Sequence, residues 1–222
     1  MCQSLLFMHK FAIVILFIFS TNCILAQERA DSILPNSLLY SGTEYVKQFN
    51  ESRGNPFFPV KNTRGNLSYN GSTYSNIEIL YDCEDDIPII RDIQGLLKLK
   101  LIREKLESFS VDNHKFVKIK LLSSQGEFYE EIYRGKHALL MQWQKKQELD
   151  AQEIERYVLK KTIFMLKNND IIPITNKPDL YNLIPGKEKE LKKMYRTNKL
   201  NFKKNALTAS EKMIREIEKM GW

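Results

Sequence analysis

Apolar and polar residues alternate along residues 65–144, and this period of two predicts β-strands whose side chains point to opposite faces of a sheet. The pattern is clearest on either side of Asn70-Gly71. Because Asn and Gly both tolerate the positive φ of a type I′ turn, this pair predicts a tight hairpin. After Asp82 the alternation continues in short runs, separated by polar breaks, as far as Trp143. We therefore predict an antiparallel meander of about seven or eight strands.

The pattern changes after the meander. Residues 147–161 are strongly charged and contain few large apolar side chains, and we predict a short helix there. Residues 163–166 and 171–174 are apolar and flank a polar break at residues 168–170, which predicts one more hairpin.

Helical signals dominate the C-terminal part. Pro178 suits the first turn of a short helix, and the apolar stripe of residues 188–197 predicts a second helix. Residues 208–211, Thr-Ala-Ser-Glu, have the sequence of a capping box and predict the start of a last helix. The predicted fold class is therefore mainly β (α+β), with an antiparallel meander that forms a sandwich or partly open barrel and carries a C-terminal helical cap.

The first 26 residues have the pattern of a secretory signal peptide. Lys10 precedes nine apolar residues, and Ala26 follows a polar break. The apolar run is well short of the roughly 20 residues that span a bilayer, so we predict cleavage after Ala26 rather than a membrane anchor. A lipoprotein signal at Cys23 is a second alternative, although the preceding residues lack a typical lipobox. The predicted organisation is a signal peptide (1–26), a β-rich domain (27–175) and a helical segment packed on it (176–222), with no transmembrane segment after cleavage.

The cysteine content and the distribution of charge limit the compartments in which the protein could work and the partners that it could bind. Cleavage would leave Cys83 as the single cysteine, and an exported protein without a disulfide fits a bacterial periplasm or cell envelope. Residues 27–140 hold 15 basic and 16 acidic residues, whereas residues 141–222 hold 18 and 11. Export argues against nucleic acid as a partner of this basic part. An acidic envelope protein, an acidic glycan and an anionic lipid surface remain open, as does a merely solvated face.

Residues 82–86 crowd four carboxylates around Cys83. They could hold calcium, but the spacing differs from that of an EF-hand loop, and an exposed acidic turn is the simpler interpretation. Carboxylates raise the pKa of a nearby thiol, which disfavours Cys83 as a nucleophile. We assign no metal site, no cofactor and no catalytic residue.

Two histidines remain after cleavage, His114 and His137, and neither has the spacing of a metal ligand. Glu127, Glu130 and Glu131 could supply paired carboxylates for glycoside hydrolysis, but a solvated strand face is the simpler interpretation. A hydrolase would need a pocket that unites a histidine with a carboxylate or with Cys83.

The best candidate site is a basic surface on the second helix. Its residues would cluster opposite the apolar stripe and could dock on anionic head groups, or they could only solubilise the helix. They are Lys192, Lys193, Arg196 and Lys199.

Three stretches of the chain carry a family resemblance. They are residues 69–86, which include Tyr-Asn-Gly and Leu-Tyr-Asp, residues 126–136, which begin Gly-Glu-Phe-Tyr-Glu, and residues 198–204, Asn-Lys-Leu-Asn-Phe-Lys-Lys. They resemble a family of exported Bacteroidota proteins with a β-rich body and a Lys-rich helical tail. The resemblance implies Gram-negative export and supplies no catalytic residues.

The expected function is that of a non-enzymatic binding or scaffold protein of the periplasm or cell envelope. One alternative is an envelope hydrolase that acts on peptidoglycan or glycan. The other is a protein that binds anionic lipid surfaces through its basic tail.

Overall fold

A computed structural model of the chain describes residues 38–120 and 126–222. Within these ranges, eleven antiparallel strands form one unclosed sheet, and three α-helices follow the last strand. The mainly β class with a C-terminal helical part is thereby confirmed. The strands are β1 Thr43–Glu44, β2 Arg64–Tyr69, β3 Ser72–Asp82, β4 Ile87–Arg91, β5 Lys98–Lys100, β6 Leu106–Val111, β7 His114–Ile119, β8 Glu127–Arg134, β9 Ala138–Leu149, β10 Glu155–Lys167 and β11 Asp170–Ile174. The helices are α1 Lys177–Tyr181, α2 Glu188–Thr197 and α3 Ala206–Lys219.

The predicted signal peptide of residues 1–26 and the alternative lipoprotein signal at Cys23 lie outside the described residues. Across the part of the chain that the structure covers, we find no helix long and apolar enough to cross a membrane.

The sheet consists of two meanders that meet where β2 pairs with β6. One runs from β2 through β3 and β4 to β5, with β1 on its outer edge, and the other runs from β6 to β11. Strand β2 pairs with β3 on one side and with β6 on the other, so the chain returns from the sheet edge to its middle between β5 and β6. Short apolar alternation predicts strands but not this return, because it carries no signal for which strands become neighbours.

Turn residues adopt the backbone conformations expected from their chemistry. Asn70 and Gly71 have φ of 53° and 76° and join β2 to β3, as predicted. Asn168 and Asn169 have φ of 50° and 68° and join β10 to β11. Asn is among the few residues with side chains that enter this region readily, which explains why these polar pairs mark hairpins.

The helix predicted over residues 147–161 is wrong. Strand β9 continues to Leu149, and β10 begins at Glu155 and pairs with β9 from Leu149 back to Ala138. Asp150 stabilises the tip of this hairpin by accepting hydrogen bonds from the amides of Gln152 and Ile154. This part of the hairpin is largely exposed on both faces, so the apolar alternation that identifies a strand is missing.

The start predicted for the last helix is also wrong. Helix α3 begins at Ala206, and the side chain of Asn205 accepts a hydrogen bond from the amide of Thr208. Thr208 therefore lies within the first turn instead of capping it. Asn caps a helix as well as Thr or better, so Asn205 can take this position.

Several clusters of buried apolar side chains stabilise the described fold, and two of them matter most for the site. One is aromatic and surrounds Phe116, which lies 4.7 Å from the stacked ring of Phe109 and 5.1 Å from Phe58, between ring centroids. Phe58 comes from the connection before β2, and its amide donates to the carbonyl of Tyr81. The other cluster joins the sheet to the helices through Leu139, Met165, Leu180, Leu191, Met194, Met213, Ile214 and Ile217. We call residues 177–222 the helical cap.

Candidate functional site

The predicted basic residues lie on the solvent side of α2. Leu191, Met194 and Tyr195 are 0–6% exposed and pack toward the sheet. Because an α-helix has 3.6 residues per turn, side chains between and after these three buried residues point away from the sheet, into solvent. The exposed side chains are those of Lys192, Lys193, Arg196 and Lys199, which we call the basic face.

The end of α2 holds Lys199 beside the helix. The amide of Asn198 donates to the carbonyl of Met194, and Lys199 has a φ of 50°. The chain then turns back, because the amide of Leu200 donates to the carbonyl of Tyr195 and the amide of Phe202 donates to the Tyr195 hydroxyl. These contacts fix the last member of the basic face.

No carboxylate of residues 38–120 or 126–222 comes within 4.0 Å of the basic face. Three other basic residues of the helical cap do have acidic partners: Lys187 pairs with Glu190, Arg215 with Glu211 and Lys219 with Glu216. The contact made by Lys192 is with the ring of Tyr181, 5.7 Å from its ammonium to the ring centroid. The basic face is thus a cluster of positive charge without a direct ion pair, although Lys192 is near enough to Glu188 to help lower the pKa of that carboxyl.

The acidic turn at residues 82–86 surrounds a lysine that the sequence alone did not single out. The ammonium of Lys47 lies 2.8 Å from a carboxylate oxygen of each of Asp82, Glu84 and Asp85. Burial alone would lower the Lys47 pKa, but its hydrogen bonds to these carboxylates raise it above the ordinary range. Among the described residues, no set of three or more His, Cys, Asp or Glu side chains has the arrangement of a metal site.

Asp86 belongs to a separate network within the same turn. It accepts hydrogen bonds from the Tyr81 hydroxyl at 2.6 Å and from the Arg103 guanidinium at 2.8 Å. Burial raises the pKa of Asp86 even though both partners and the Phe128 amide lower it. This network joins β3, the β3–β4 turn, β8 and the connection before β6, and its contacts stabilise the fold.

Cys83 is buried at 2% exposure. Burial is the main cause that raises the pKa of its thiol, and Asp82 and Asp86 raise it further. The direction agrees with the sequence prediction, although desolvation rather than the acidic neighbours is the larger cause. A buried, protonated thiol is a poor nucleophile.

His114 lies against a buried carboxylate. Its Nδ1 is 2.6 Å from Oε1 of Glu130, and the Trp143 indole donates to Oε2 of the same carboxylate at 2.6 Å. Glu130 is 6% exposed, so the solvated-face interpretation is wrong for this residue. Glu131 does lie on the other side of β8, paired with Lys115 and Arg134. A carboxylate that orients a histidine ring is one part of a general-base arrangement.

His137 connects the sheet to the end of the helical cap. Its amide donates to Oε1 of Glu218 at 2.7 Å, and its Nε2 is 3.0 Å from the carbonyl oxygen of Trp222. Glu218 also accepts a hydrogen bond from the Tyr133 hydroxyl at 2.6 Å. These contacts join the β8–β9 turn to α3, which makes His137 part of the attachment of the cap.

No family model, curated protein or solved structure matches this chain. Sequence reasoning missed the interactions of Lys47, of Arg103 and of the pair His114–Glu130. Their partners lie 16 to 38 positions away in the chain, and no local pattern links them. Three members of the basic face, Lys192, Lys193 and Arg196, follow by contrast from helical periodicity alone, whereas Lys199 lies beyond the end of α2.

Proposed function

We propose that this protein is a non-enzymatic binding protein of the bacterial periplasm or cell envelope and that its basic face contacts an anionic lipid surface. The observation that carries the proposal is that no carboxylate of the described residues lies within 4.0 Å of the basic face. The apolar side of α2 is buried against the protein's own sheet. The helix therefore offers charge, not an inserting apolar face, to a partner.

Export supports the choice of partner. The signal-peptide pattern of residues 1–26 and the resemblance to exported Bacteroidota proteins both favour a compartment with lipid and glycan surfaces and without nucleic acid. Anionic head groups attract clustered Lys and Arg, and the attraction falls off over about 8 Å at physiological ionic strength.

The expected binding is weak and reversible. Each basic residue near an anionic surface contributes about 1 kcal/mol. The four members of the basic face would together contribute roughly 4 kcal/mol, which corresponds to a dissociation constant of roughly 1 mM. Stable attachment would need further contacts, and salt should weaken it strongly.

The test is co-sedimentation of the protein with vesicles. We expect binding to vesicles of phosphatidylglycerol and phosphatidylcholine, little binding to phosphatidylcholine alone, and a loss of binding on going from about 50 to about 500 mM salt. The variant K192E/K193E/R196E should lose most of the binding and keep its thermal stability. Unchanged binding by this variant, or equal binding to neutral vesicles, would refute the proposal.

The envelope hydrolase is a second candidate, and the contact between His114 and Glu130 favours it. Its test is the release of soluble fragments from peptidoglycan by the wild type and by His114→Gln. Turnover that the substitution abolishes, in a variant that keeps its fold, would replace the binding proposal by the enzymatic one. We expect no turnover by either protein.

A further inference from the structure

Helices α2 and α3 pack against each other and leave a groove between them. Two cavities lie along this groove, with volumes of about 410 and 250 Å³, and both are lined by Asn198. The larger one alone falls within the range of small-molecule sites, about 300–1,000 Å³. We call the two together the interhelical groove.

One end of the interhelical groove is apolar. Its walls include Met194, Met220 and Trp222, and Met220 is 51% exposed. Methionine side chains are flexible and polarisable, and they adapt to ligands of variable shape. Three charged residues also line this end: Glu190, which pairs with Lys187, Glu216, which pairs with Lys219, and the exposed Lys193. The charges of the two acids are compensated, and the methionine and tryptophan side chains can accept an apolar group beside them.

The other end is polar and basic. Lys199, Lys204 and Lys212 line it together with amide and hydroxyl side chains. All three lysines are exposed, and none has a carboxylate within 4.0 Å among the residues that the structure describes. An anion placed there would form charge-assisted hydrogen bonds without displacing an existing ion pair.

We propose that the interhelical groove binds a single-chain anionic amphiphile, such as a fatty acid or a lysophospholipid, with its acidic group at the lysine end and its chain at the methionine end. Charge complementarity favours this direction, because three unpaired lysines line the lysine end, whereas Lys193 is the single unpaired cation among the residues that line the methionine end. The groove shares Lys193 and Lys199 with the basic face, but the proposal goes beyond surface binding, because the groove would take one soluble molecule.

The first experiment is isothermal titration calorimetry with decanoate below its micelle concentration. Acetate supplies the anion without the chain, and octyl glucoside supplies a chain without the anion. We expect decanoate to bind with one site per protein and both controls to bind at least tenfold more weakly. Failure of decanoate to bind, or equal binding of octyl glucoside, would overturn the proposal. If decanoate does not bind, a peptide or a second copy of the chain would be the next occupant of the groove to test.

Variants at each end provide the second experiment. K204E/K212E and Met220→Asp should each weaken decanoate binding at least tenfold. The control K61E/K146E changes two exposed lysines of residues 38–176, which we call the strand part, and its affinity should stay within twofold of wild type. Met220→Ala serves if Met220→Asp loses its circular dichroism spectrum. Wild-type affinity in both groove variants would overturn the proposal.

A third variant separates this proposal from the proposed function. K192E/R196E changes two members of the basic face that do not line either cavity. It should lose vesicle binding and keep decanoate affinity within twofold. If vesicle binding fails for the wild type but decanoate binds as expected, the groove stands and the surface proposal falls. A parallel loss of decanoate binding in K192E/R196E would contradict the assignment to the groove.

Discussion

Lys47, in the strand part, contacts three carboxylates at 2.8 Å, whereas the four cations of the basic face have no carboxylate within 4.0 Å among the described residues. The two regions also differ in burial, since Asp82 is fully buried and all members of the basic face are exposed. A buried charge needs a partner because desolvation is costly, and an exposed charge does not. Buried, paired charges stabilise the fold, whereas exposed, unpaired charges are available to bind another molecule.

The largest expected effect concerns the aromatic cluster of the strand part. Phe116→Ala removes a fully buried ring that stacks on Phe109, and we expect the free energy of unfolding to fall by about 3–5 kcal/mol. Lys192→Ala, on the exposed face of α2, should change it by less than about 0.5 kcal/mol. Urea unfolding followed by circular dichroism gives both values. A loss below about 1 kcal/mol for Phe116→Ala would contradict the close packing of the aromatic cluster.

The next effect tests the acidic turn directly. Lys47→Met keeps most of the side-chain length but leaves three carboxylates without their shared cation. Removing one partner of a fully buried pair costs about 3–5 kcal/mol, and we expect about 2 kcal/mol for this substitution because the Lys47 side chain is 17% exposed. The matched change, Lys193→Met, should be nearly neutral in the same urea experiment. Equal effects of the two substitutions would remove the distinction between the regions.

A smaller, pH-dependent effect is expected where the cap meets the sheet. Burial alone would raise the pKa of Glu218, but hydrogen bonds from the Tyr133 hydroxyl and the His137 amide lower it below its usual value of 4.5. A depressed pKa means that this carboxylate stabilises the fold above about pH 4.5 and that the contribution is lost as the pH falls through the lower, folded-state value.

Glu218→Gln should therefore cost about 1 kcal/mol at pH 7, since the carboxylate is only partly buried. The difference from wild type should shrink as the pH falls below 4.5 through the lower, folded-state pKa, because the native carboxylate then becomes protonated as well. Urea unfolding at a series of pH values measures this. A difference that grows at low pH would mean that the folded state raises the Glu218 pKa instead of lowering it.

Local signals account for much of the fold. The Asn70-Gly71 hairpin and the bounds of α2 follow from turn chemistry and helical periodicity. The second pairing of β2 does not, because strand neighbours depend on contacts between residues far apart in the chain. The exposed β9–β10 hairpin resembles a helix in sequence, since neither of its faces shows a clear apolar pattern.

The candidate site, like the fold, can be predicted from the sequence only in part. Periodicity places Lys192, Lys193 and Arg196 on one side of a helix, and their exposure agrees with that placement. The contact of Lys47 with the acidic turn joins residues 35 to 38 positions apart and has no local signature. The interhelical groove depends on how two helices pack, which the periodicity of each helix alone does not specify.

We propose that the clustering of exposed cations without direct ion pairs on the helical cap, and not total charge, would make the protein bind an anionic surface. Two variants of equal net charge test it: K192E/K193E/R196E on α2, and K61E/K120E/K146E, which reverses three exposed lysines of the strand part. The measurement is the affinity of each for phosphatidylglycerol vesicles at about 100 mM salt. We predict at least a tenfold loss for the first variant and no more than a threefold loss for the second. Equal losses would contradict the claim.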